Sequence, residues 1–236
     1  VTHEIQKPTT ATTTTIAPLT SAIVDSLPEA GTGVNTTFTY YSYKAFASQS
    51  GNFDILNFIG SDVNIEPAGY TGKLETGKYY DIKGYIFGYN SKYNYADLII
   101  DEATEITNET ALGLSTYYQS ATLGATSDIK LSAFVANRPA DGKITWSVEG
   151  TSVTMTKDEK DDTKVTLTPS ATVAGKSIVT ATLGDKTVSC TINVKRPMTP
   201  VKTTVADLLA LTEVDSSKVY EVSGVLEGKS DTDAFG

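Results

Sequence analysis

Few residues in this sequence have the chemistry of a catalytic or metal site. The chain of 236 residues contains one histidine, His3, and one cysteine, Cys190. A serine or cysteine nucleophile needs an imidazole within hydrogen-bond reach, and zinc sites take three or four ligands, mostly His and Cys. Neither arrangement can be assembled from these two residues. The sequence therefore predicts no catalytic residue, no metal, no cofactor and no enzymatic activity.

Carboxylates are more numerous and form two groups. Residues 158–162 (DEKDD) fall in a turn between two alternating segments, and Asp101, Glu102 and Glu105 fall at the end of another. Each group has two interpretations, a solvated turn or a calcium site. The D-x-D-x-D-G spacing of calcium loops is absent, so we expect solvated carboxylates.

The most distinctive stretch is YYDIKGYIFGYNSKYNY, residues 79–95, in which six positions are tyrosine. Strand alternation places Tyr80, Ile82 and Ile86 on one face, which suits a barrel interior, and sends the other set outward. Asp97, Ile99 and Asp101 continue the outer face on the next strand. The predicted ligand-binding residues are Tyr79, Asp81, Lys83, Tyr85, Tyr89, Tyr93 and Tyr95.

This outer face has two interpretations. Tyrosine offers a flat apolar ring with a hydroxyl at its edge, which suits a carbohydrate or protein ligand. Tyrosine is also a preferred strand residue, so the same face could serve cross-strand pairing or packing against a neighbouring domain. Both interpretations stay open at the level of sequence.

Charge and hydropathy narrow the range of partners. The net charge is −9, and residues 1–108 contain lysines but no arginine. Binding to nucleic acid rests largely on Lys and Arg neutralising phosphates, so a nucleic-acid partner is disfavoured. No run of 18 or more apolar residues occurs, so we expect no membrane-spanning segment. The chain starts without an initiator methionine and has the character of a piece of a longer protein.

In the segment 110–197, apolar and polar residues alternate along the chain. Its five alternating runs, separated by turn residues, predict an antiparallel sandwich and cover residues 129–135, 143–148, 164–168, 177–183 and 188–194. Cys190 shares a face with Val188 and Ile192, which predicts a core cysteine rather than a reactive one.

The motifs DGKITWSV, VTLTP and AGKSIVTATLGDKTVSCTINV occur in this order and resemble the bacterial Ig-like domains of surface and secreted proteins. The resemblance covers residues 112–196. It implies a non-catalytic module that carries or spaces other domains, and export from a bacterium as a secreted protein or surface lipoprotein.

The preceding segment predicts strands at 37–47, 52–59, 62–66, 78–89 and 93–106. With the motifs GNFDI, GKYYDIKGYIFGYN and YADLIIDEATEI it resembles the small OB-type barrels of bacterial surface proteins. One departure is that the predicted helix precedes the strands, whereas many OB barrels place it between the third and fourth strands.

The two ends of the chain carry a repeat. INVKRPMTPVKTTVADL (192–208) aligns with HEIQKPTTATTTTIAPL (3–19) at a constant offset of 189. Thr204 and Asp207 have the spacing of a capping box and predict a helix over 205–213. The equivalent helix of the first copy is predicted over 17–26, with Pro18 in its first turn.

The combined prediction is an all-β protein with an OB-like barrel and one short helix, an Ig-like sandwich and a partial second OB-like unit. The predicted domains are 1–8 (the end of a preceding domain or a linker), 9–109 (barrel), 110–197 (sandwich) and 198–236 (second unit). We expect a cell-surface or secreted spacer or binding module with neighbouring domains in its parent chain. The alternatives are a nucleic-acid-binding module accessory to an extracellular nuclease and a purely structural stalk.

Overall fold

The structure is a computed structural model. It describes residues 15–30, 39–50, 53–68, 70, 72–90, 92, 94–213 and 218–224. The chain divides into two compact units, Val1–Lys195 and Arg196–Gly236. The larger unit contains a closed barrel followed by a two-sheet sandwich, which confirms the predicted all-β class.

The barrel contains five strands, and a short strand and a helix precede them. The elements are β1 (Ile16–Pro18), α1 (Ser21–Ala30), β2 (Tyr40–Ser50), β3 (Phe53–Phe58), β4 (Asn64–Ala68), β5 (Tyr79–Asn90) and β6 (Tyr95–Glu105). The strand order is β2-β3-β4-β6-β5, and β5 pairs with β2 again, which closes the barrel. Only β4 and β6 run parallel among these five strands, so the barrel is OB-like.

Closure depends on the length of β2. Its first part pairs with β5 over Tyr40–Phe46, and its second part pairs with β3 over Ala45–Ser50. One strand therefore takes part in both ends of the sheet. The core inside is apolar, and Leu56, Ile82 and Leu98 are fully buried in it.

Helix α1 covers one end of the barrel. Its first turn is capped by Thr20, whose carbonyl oxygen accepts from the N–H groups of Ile23 and Val24, both at 3.1 Å. Val24 is fully buried in the barrel core, and Leu27 packs against that core. Helix formation here depends on this apolar contact, because a helix of this length is marginal by itself.

The sandwich consists of two four-stranded sheets. One has the order β10-β13-β14-β8 and the other the order β11-β12-β9-β7. The strands are β7 (Ala111–Leu114), β8 (Tyr118–Thr122), β9 (Ile129–Ala136), β10 (Thr145–Glu149), β11 (Val153–Lys157), β12 (Lys164–Pro169), β13 (Gly175–Leu183) and β14 (Lys186–Lys195). Leu131, Leu167, Val179 and Ile192 lie at the centre of the apolar layer between the sheets.

The second unit repeats the opening of the barrel. Strand β15 (Val201–Thr203), helix α2 (Val205–Leu209) and strand β16 (Tyr220–Val222) follow one another, and β15 pairs parallel with β16. The first unit has the same parallel pairing between β1 and β2. Both copies therefore have strand, helix and strand in the same order.

The predicted offset of the repeat is wrong. Ile16 and Val201 both begin the short parallel strand, so the structural offset there is 185 (201 − 16) rather than 189. The helix predicted over 17–26 begins at Ser21, because Pro18 lies in β1 and Thr20 caps the helix. The Thr204 cap is confirmed: its side chain accepts from the N–H of Asp207.

The five barrel strands and the five sandwich runs predicted from alternation are present within a few residues of the expected bounds. Within the sandwich, strands β7, β8 and β11 were not predicted. They are only four or five residues long, so the alternation has few residues over which to appear.

Candidate functional site

Three outward-facing side chains form a row across the barrel. Tyr40 on β2 lies opposite Tyr85 on β5, and Tyr85 lies opposite Ile99 on β6. The Tyr40 and Tyr85 rings are tilted by 55° with centroids 4.8 Å apart. Ile99 is 43% exposed, whereas Tyr40 is nearly covered. We call these three residues the tyrosine row.

A carboxylate fixes the buried end of the tyrosine row. The hydroxyl of Tyr40 donates to Oδ2 of Asp101 at 2.8 Å. Burial, together with this carboxylate, raises the pKa of Tyr40 to about 12. The ring is therefore held in place, which lowers the entropy that a ligand-contacting surface would lose on binding.

Charged residues lie beside the tyrosine row. Lys83 on β5 forms an ion pair with Glu102 on β6 at 2.8 Å. Ser42 donates to Asp81 at 3.4 Å. Asp97 lies two positions before Ile99 on β6, and burial raises the pKa of its carboxyl group. The predicted residues Asp81, Lys83 and Tyr85 are thus brought together on the outside of the barrel.

Tyr79 lies on the outer face of the barrel, as alternation predicts, but its side chain is covered. Only 5% of its surface is accessible. Its ring packs on Phe46 with centroids 4.8 Å apart, and Phe46 packs in turn on Phe134 of the sandwich. The sandwich covers this end of the face, and burial raises the pKa of Tyr79 to about 12.

Tyr89 faces inward, so its predicted position on the outer face is wrong. Ile86 lies opposite Leu98, but Gly88 lies opposite Asp97, so Phe87 is an extra residue in β5. Such a β-bulge reverses the alternation beyond it. Tyr89 consequently joins the barrel core, and its hydroxyl donates to Oδ1 of Asn94 at 2.7 Å.

Of the last two predicted tyrosines, only Tyr95 can be placed, and it lies away from the tyrosine row. Tyr93 lies outside the residues that the structure describes. Tyr95 is half-buried at the start of β6, where it lies opposite Asn90 and Asn64. Four residues of strand, about 13 Å, separate it from Ile99.

An apolar cluster joins the barrel to the sandwich. Its buried members are Phe46 and Tyr79 of the barrel and Ala111 and Ala136 of the sandwich. Half-buried Ile59, Ile106 and Phe134 pack against them. We call these seven residues the junction cluster. Gly113 lies beside it, and an added Cβ there would lie 3.0 Å from the Phe46 ring, so a larger residue would require that ring to shift.

Polar contacts surround the junction cluster. Asp62, in the loop between β3 and β4, accepts from the backbone N–H groups of Tyr117 at 2.6 Å and Tyr118 at 2.8 Å. Asn137 donates to the carbonyl oxygens of Ile106 at 2.6 Å and Glu109 at 2.9 Å. These bonds fix both the segment that connects the domains and the start of β8.

The junction could not be found from residue types alone. Phe46 and Ile106 are ordinary strand residues in the sequence, and Asp62 is one of many loop carboxylates. One feature of the sequence does indicate the junction. Phe46 lies six residues after Tyr40 on β2, so alternation places both side chains on the outer face of the barrel. Large apolar residues on an outer face indicate a covered surface.

His3 lies outside the residues that the structure describes, whereas Cys190 and the carboxylates of residues 158–162 can be placed. Cys190 is fully buried, and burial raises the pKa of its thiol to about 12, which opposes formation of a thiolate. Asp161 pairs with Lys164 at 2.7 Å, and Asp162 pairs with Arg138 at 2.9 Å. Among the described residues, no group of three His, Cys, Asp or Glu side chains is arranged to hold a metal ion.

Comparison of the sequence with models of known protein families gives no match, and comparison with curated proteins gives none either. In the part of the chain that the structure describes, no helix combines the length and apolar character that a bilayer span requires.

Proposed function

We propose that this chain is a non-catalytic spacer and binding module of an exported bacterial protein, in which the barrel and the sandwich act as one rigid element. The observation that carries the proposal is the junction cluster. The resemblance of residues 112–196 to bacterial Ig-like domains supports the location at the cell surface or in the medium.

Rigidity follows from the combination of contacts at the junction. Burial of a large apolar side chain contributes about 1.5–3 kcal/mol, and the junction cluster buries both Phe46 and Tyr79. Asp62 adds two charge-assisted hydrogen bonds to backbone N–H groups. The junction cluster and the hydrogen bonds of Asp62 lie at separate points. Together they oppose rotation of the barrel against the sandwich as well as separation of the two domains.

Rigidity can be tested by placing one spin label on the barrel and one on the sandwich and measuring the distribution of distances between the two labels. Lys73 in the barrel and Asp185 in the sandwich have side chains that are 84% and 88% exposed. Cysteines at these positions can be labelled selectively because Cys190 is buried. We expect one narrow distance peak by pulsed electron resonance. A broad distribution spanning many ångströms would contradict a rigid spacer.

The tyrosine row favours a second role for the same module, the binding of a carbohydrate. Tyr85 and Ile99 present adjacent apolar surfaces, and the carboxylates of Asp97 and Asp101 lie on the same strand as Ile99. The apolar face of a sugar ring stacks on such a surface, while its hydroxyl groups donate to carboxylates. A protein ligand is the alternative within this role.

We expect Tyr85→Ala to abolish retention on an affinity gel that contains a neutral glucan. The control is Tyr118→Ala, because Tyr118 is 47% exposed but lies on the sandwich. Loss of the Tyr118 ring should leave retention on the glucan gel unchanged. Equal retention of both variants would contradict a site at the tyrosine row.

Salt separates sugar binding from the nucleic-acid alternative. Stacking on a neutral sugar responds little to ionic strength, whereas phosphate binding weakens steeply as salt rises. Binding of a single-stranded oligonucleotide that disappears between low and physiological salt would favour the alternative.

A further inference from the structure

Two phenol rings of the tyrosine row lie on the two strands whose pairing closes the barrel. Tyr40 on β2 is the direct partner of Tyr85 on β5, and their ring centroids are 4.8 Å apart. Tyr85 is half-buried, so solvent reaches its ring, whereas Tyr40 is only 9% exposed. A covalent bond between these two rings would therefore lock the closure of the barrel.

We propose that Tyr40 and Tyr85 form an oxidative modification site, at which a one-electron oxidant joins the two rings as an intramolecular dityrosine. Each phenol loses one electron and its hydroxyl proton. The two tyrosyl radicals then form a carbon–carbon bond between ring carbons that adjoin the hydroxyl-bearing carbons, and the hydrogens on the bonded carbons move to the oxygens. Hydrogen peroxide, activated by a haem peroxidase, takes up the two electrons and two protons and becomes two molecules of water.

The geometry of the pair is close to that of the product. In a dityrosine one ring radius lies on each side of a carbon–carbon bond of about 1.5 Å, so the centroids are about 4.3 Å apart. The Tyr40 and Tyr85 rings therefore need to approach by only about 0.5 Å. The rings of a dityrosine are twisted, because their substituents clash when the rings are coplanar. The observed tilt of 55° is compatible with that twist.

Asp101 provides an acceptor for the proton that Tyr40 must lose. The Tyr40 hydroxyl donates to Oδ2 of Asp101 at 2.8 Å. A phenol is oxidised more readily when its proton leaves together with the electron, because no radical cation is formed. Since Tyr40 is covered, the oxidant takes an electron from Tyr85 first, and the ring contact passes the oxidation inward to Tyr40. A second oxidation of Tyr85 completes the radical pair.

A dityrosine would stabilise the barrel much as a disulfide stabilises many exported domains. The chain has a single cysteine, Cys190, and cannot form an internal disulfide. A bond between Tyr40 and Tyr85 closes a loop of 45 residues (85 − 40), which restricts the unfolded chain. We expect the oxidised barrel to unfold at a urea concentration about 1 M or more above that of the unmodified barrel.

The test treats the full chain, at low micromolar concentration, with a haem peroxidase and hydrogen peroxide. Trypsin cleaves after Lys44 and Lys83, so Tyr40 and Tyr85 fall on different peptides. A dityrosine joins these two peptides with the loss of two hydrogen atoms. The yield of the joined pair from the monomer fraction, measured by mass spectrometry, reports the intramolecular bond.

Two matched variants locate the bond, and each keeps the aromatic ring but removes a phenol. Tyr40→Phe changes the proposed partner, and Tyr41→Phe changes the next residue, which packs against the barrel core opposite Gly84. We expect Tyr40→Phe to lower the yield of the joined pair at least about fivefold, because it removes the phenol already held against Tyr85. Tyr41→Phe should leave the yield unchanged. A wild-type yield in Tyr40→Phe, or equal losses in both variants, would overturn the proposal.

Asp101→Asn tests the transfer of the proton. An amide oxygen still accepts a hydrogen bond from Tyr40 but does not take its proton, so we expect the initial rate of cross-linking at neutral pH to fall about threefold or more. Relative to wild type at the same pH, this deficit should shrink as the pH approaches about 10, where a phenol ionises without a carboxylate. An equal deficit at every pH would contradict a proton-accepting role for Asp101.

The dityrosine site is independent of carbohydrate binding and of the rigid junction. If Tyr85→Ala keeps its retention on the glucan gel, the carbohydrate site is removed, while the wild type still yields the joined peptides. If the oxidised wild type yields no joined peptides, the dityrosine site is removed. The glucan retention and the spin-label distance, both measured on the unoxidised chain, then stand as they are.

Discussion

Phe46→Ala is expected to lower the free energy of unfolding of the larger unit by about 3–5 kcal/mol, the cost of truncating a buried phenylalanine. Phe46 is 2% exposed and contacts both Tyr79 and Phe134. Its ring is therefore shared by the two domains. We also expect its loss to divide one unfolding transition into two, one for the barrel and one for the sandwich.

Two optical signals can follow this division. Trp146 is the single tryptophan and lies buried in the sandwich, so its fluorescence reports on that domain. The barrel strands contain most of the described tyrosines, so the tyrosine signal in near-ultraviolet circular dichroism mainly reports on the barrel. In a urea titration the two curves should coincide for the wild type and separate for Phe46→Ala.

The matched control is Phe58→Ala. Phe58 is buried in the barrel core, where it packs near Tyr43, and it is not part of the junction cluster. Its truncation should lower stability by a comparable amount while the two curves still coincide. If Phe46→Ala also keeps them coincident, the junction cluster does not couple the domains.

Gly84→Ala is expected to have the second large effect, a loss of about 3 kcal/mol or more in the stability of the barrel. An added Cβ would lie 2.2 Å from the carbonyl oxygen of Ile99, well inside van der Waals contact. That oxygen belongs to the backbone of β6, so it cannot move without opening the pairing of β5 with β6.

The measurement is urea denaturation followed by tyrosine circular dichroism, with Gly224→Ala as the control. A Cβ added at Gly224 would meet no atom within 4 Å, so that variant should match the wild type. Wild-type stability in Gly84→Ala would show that the strands do not approach as closely as described.

Alternation in the sequence predicted most of the fold, because a strand with one buried face must alternate. Tyr80, Ile82 and Ile86 lie in the barrel core as expected, and Cys190 lies in the sandwich core. The short edge strands β8 and β11 carry too few residues for such a signal.

The outer face was predicted only in part, for two separate physical reasons. The bulge at Phe87 lies beside Gly88, and a glycine inside a strand can mark a bulge, but strict alternation makes no allowance for one and so left Tyr89 on the outer face. Tyr79 has the correct orientation, but its cover comes from Phe134 and Ala136, which are distant in sequence. Packing on a neighbouring domain was one of the two interpretations, and it applies to Tyr79.

The repeat was detected, but threonine-rich composition set its register incorrectly. Threonine pairs gave matches at an offset of 189, whereas Thr20 and Thr204, which cap the two helices, differ by 184 (204 − 20). The helix caps give an offset of 184 and the short parallel strands give 185, because one more residue separates strand from cap in the first copy. Both values differ from 189.

The most direct measurement of the central claim is nitrogen-15 relaxation of the backbone amides in the barrel and in the sandwich. If the two domains form one rigid element, a single rotational diffusion tensor will fit both sets of amides. Separate tensors with shorter correlation times for each domain would contradict the account.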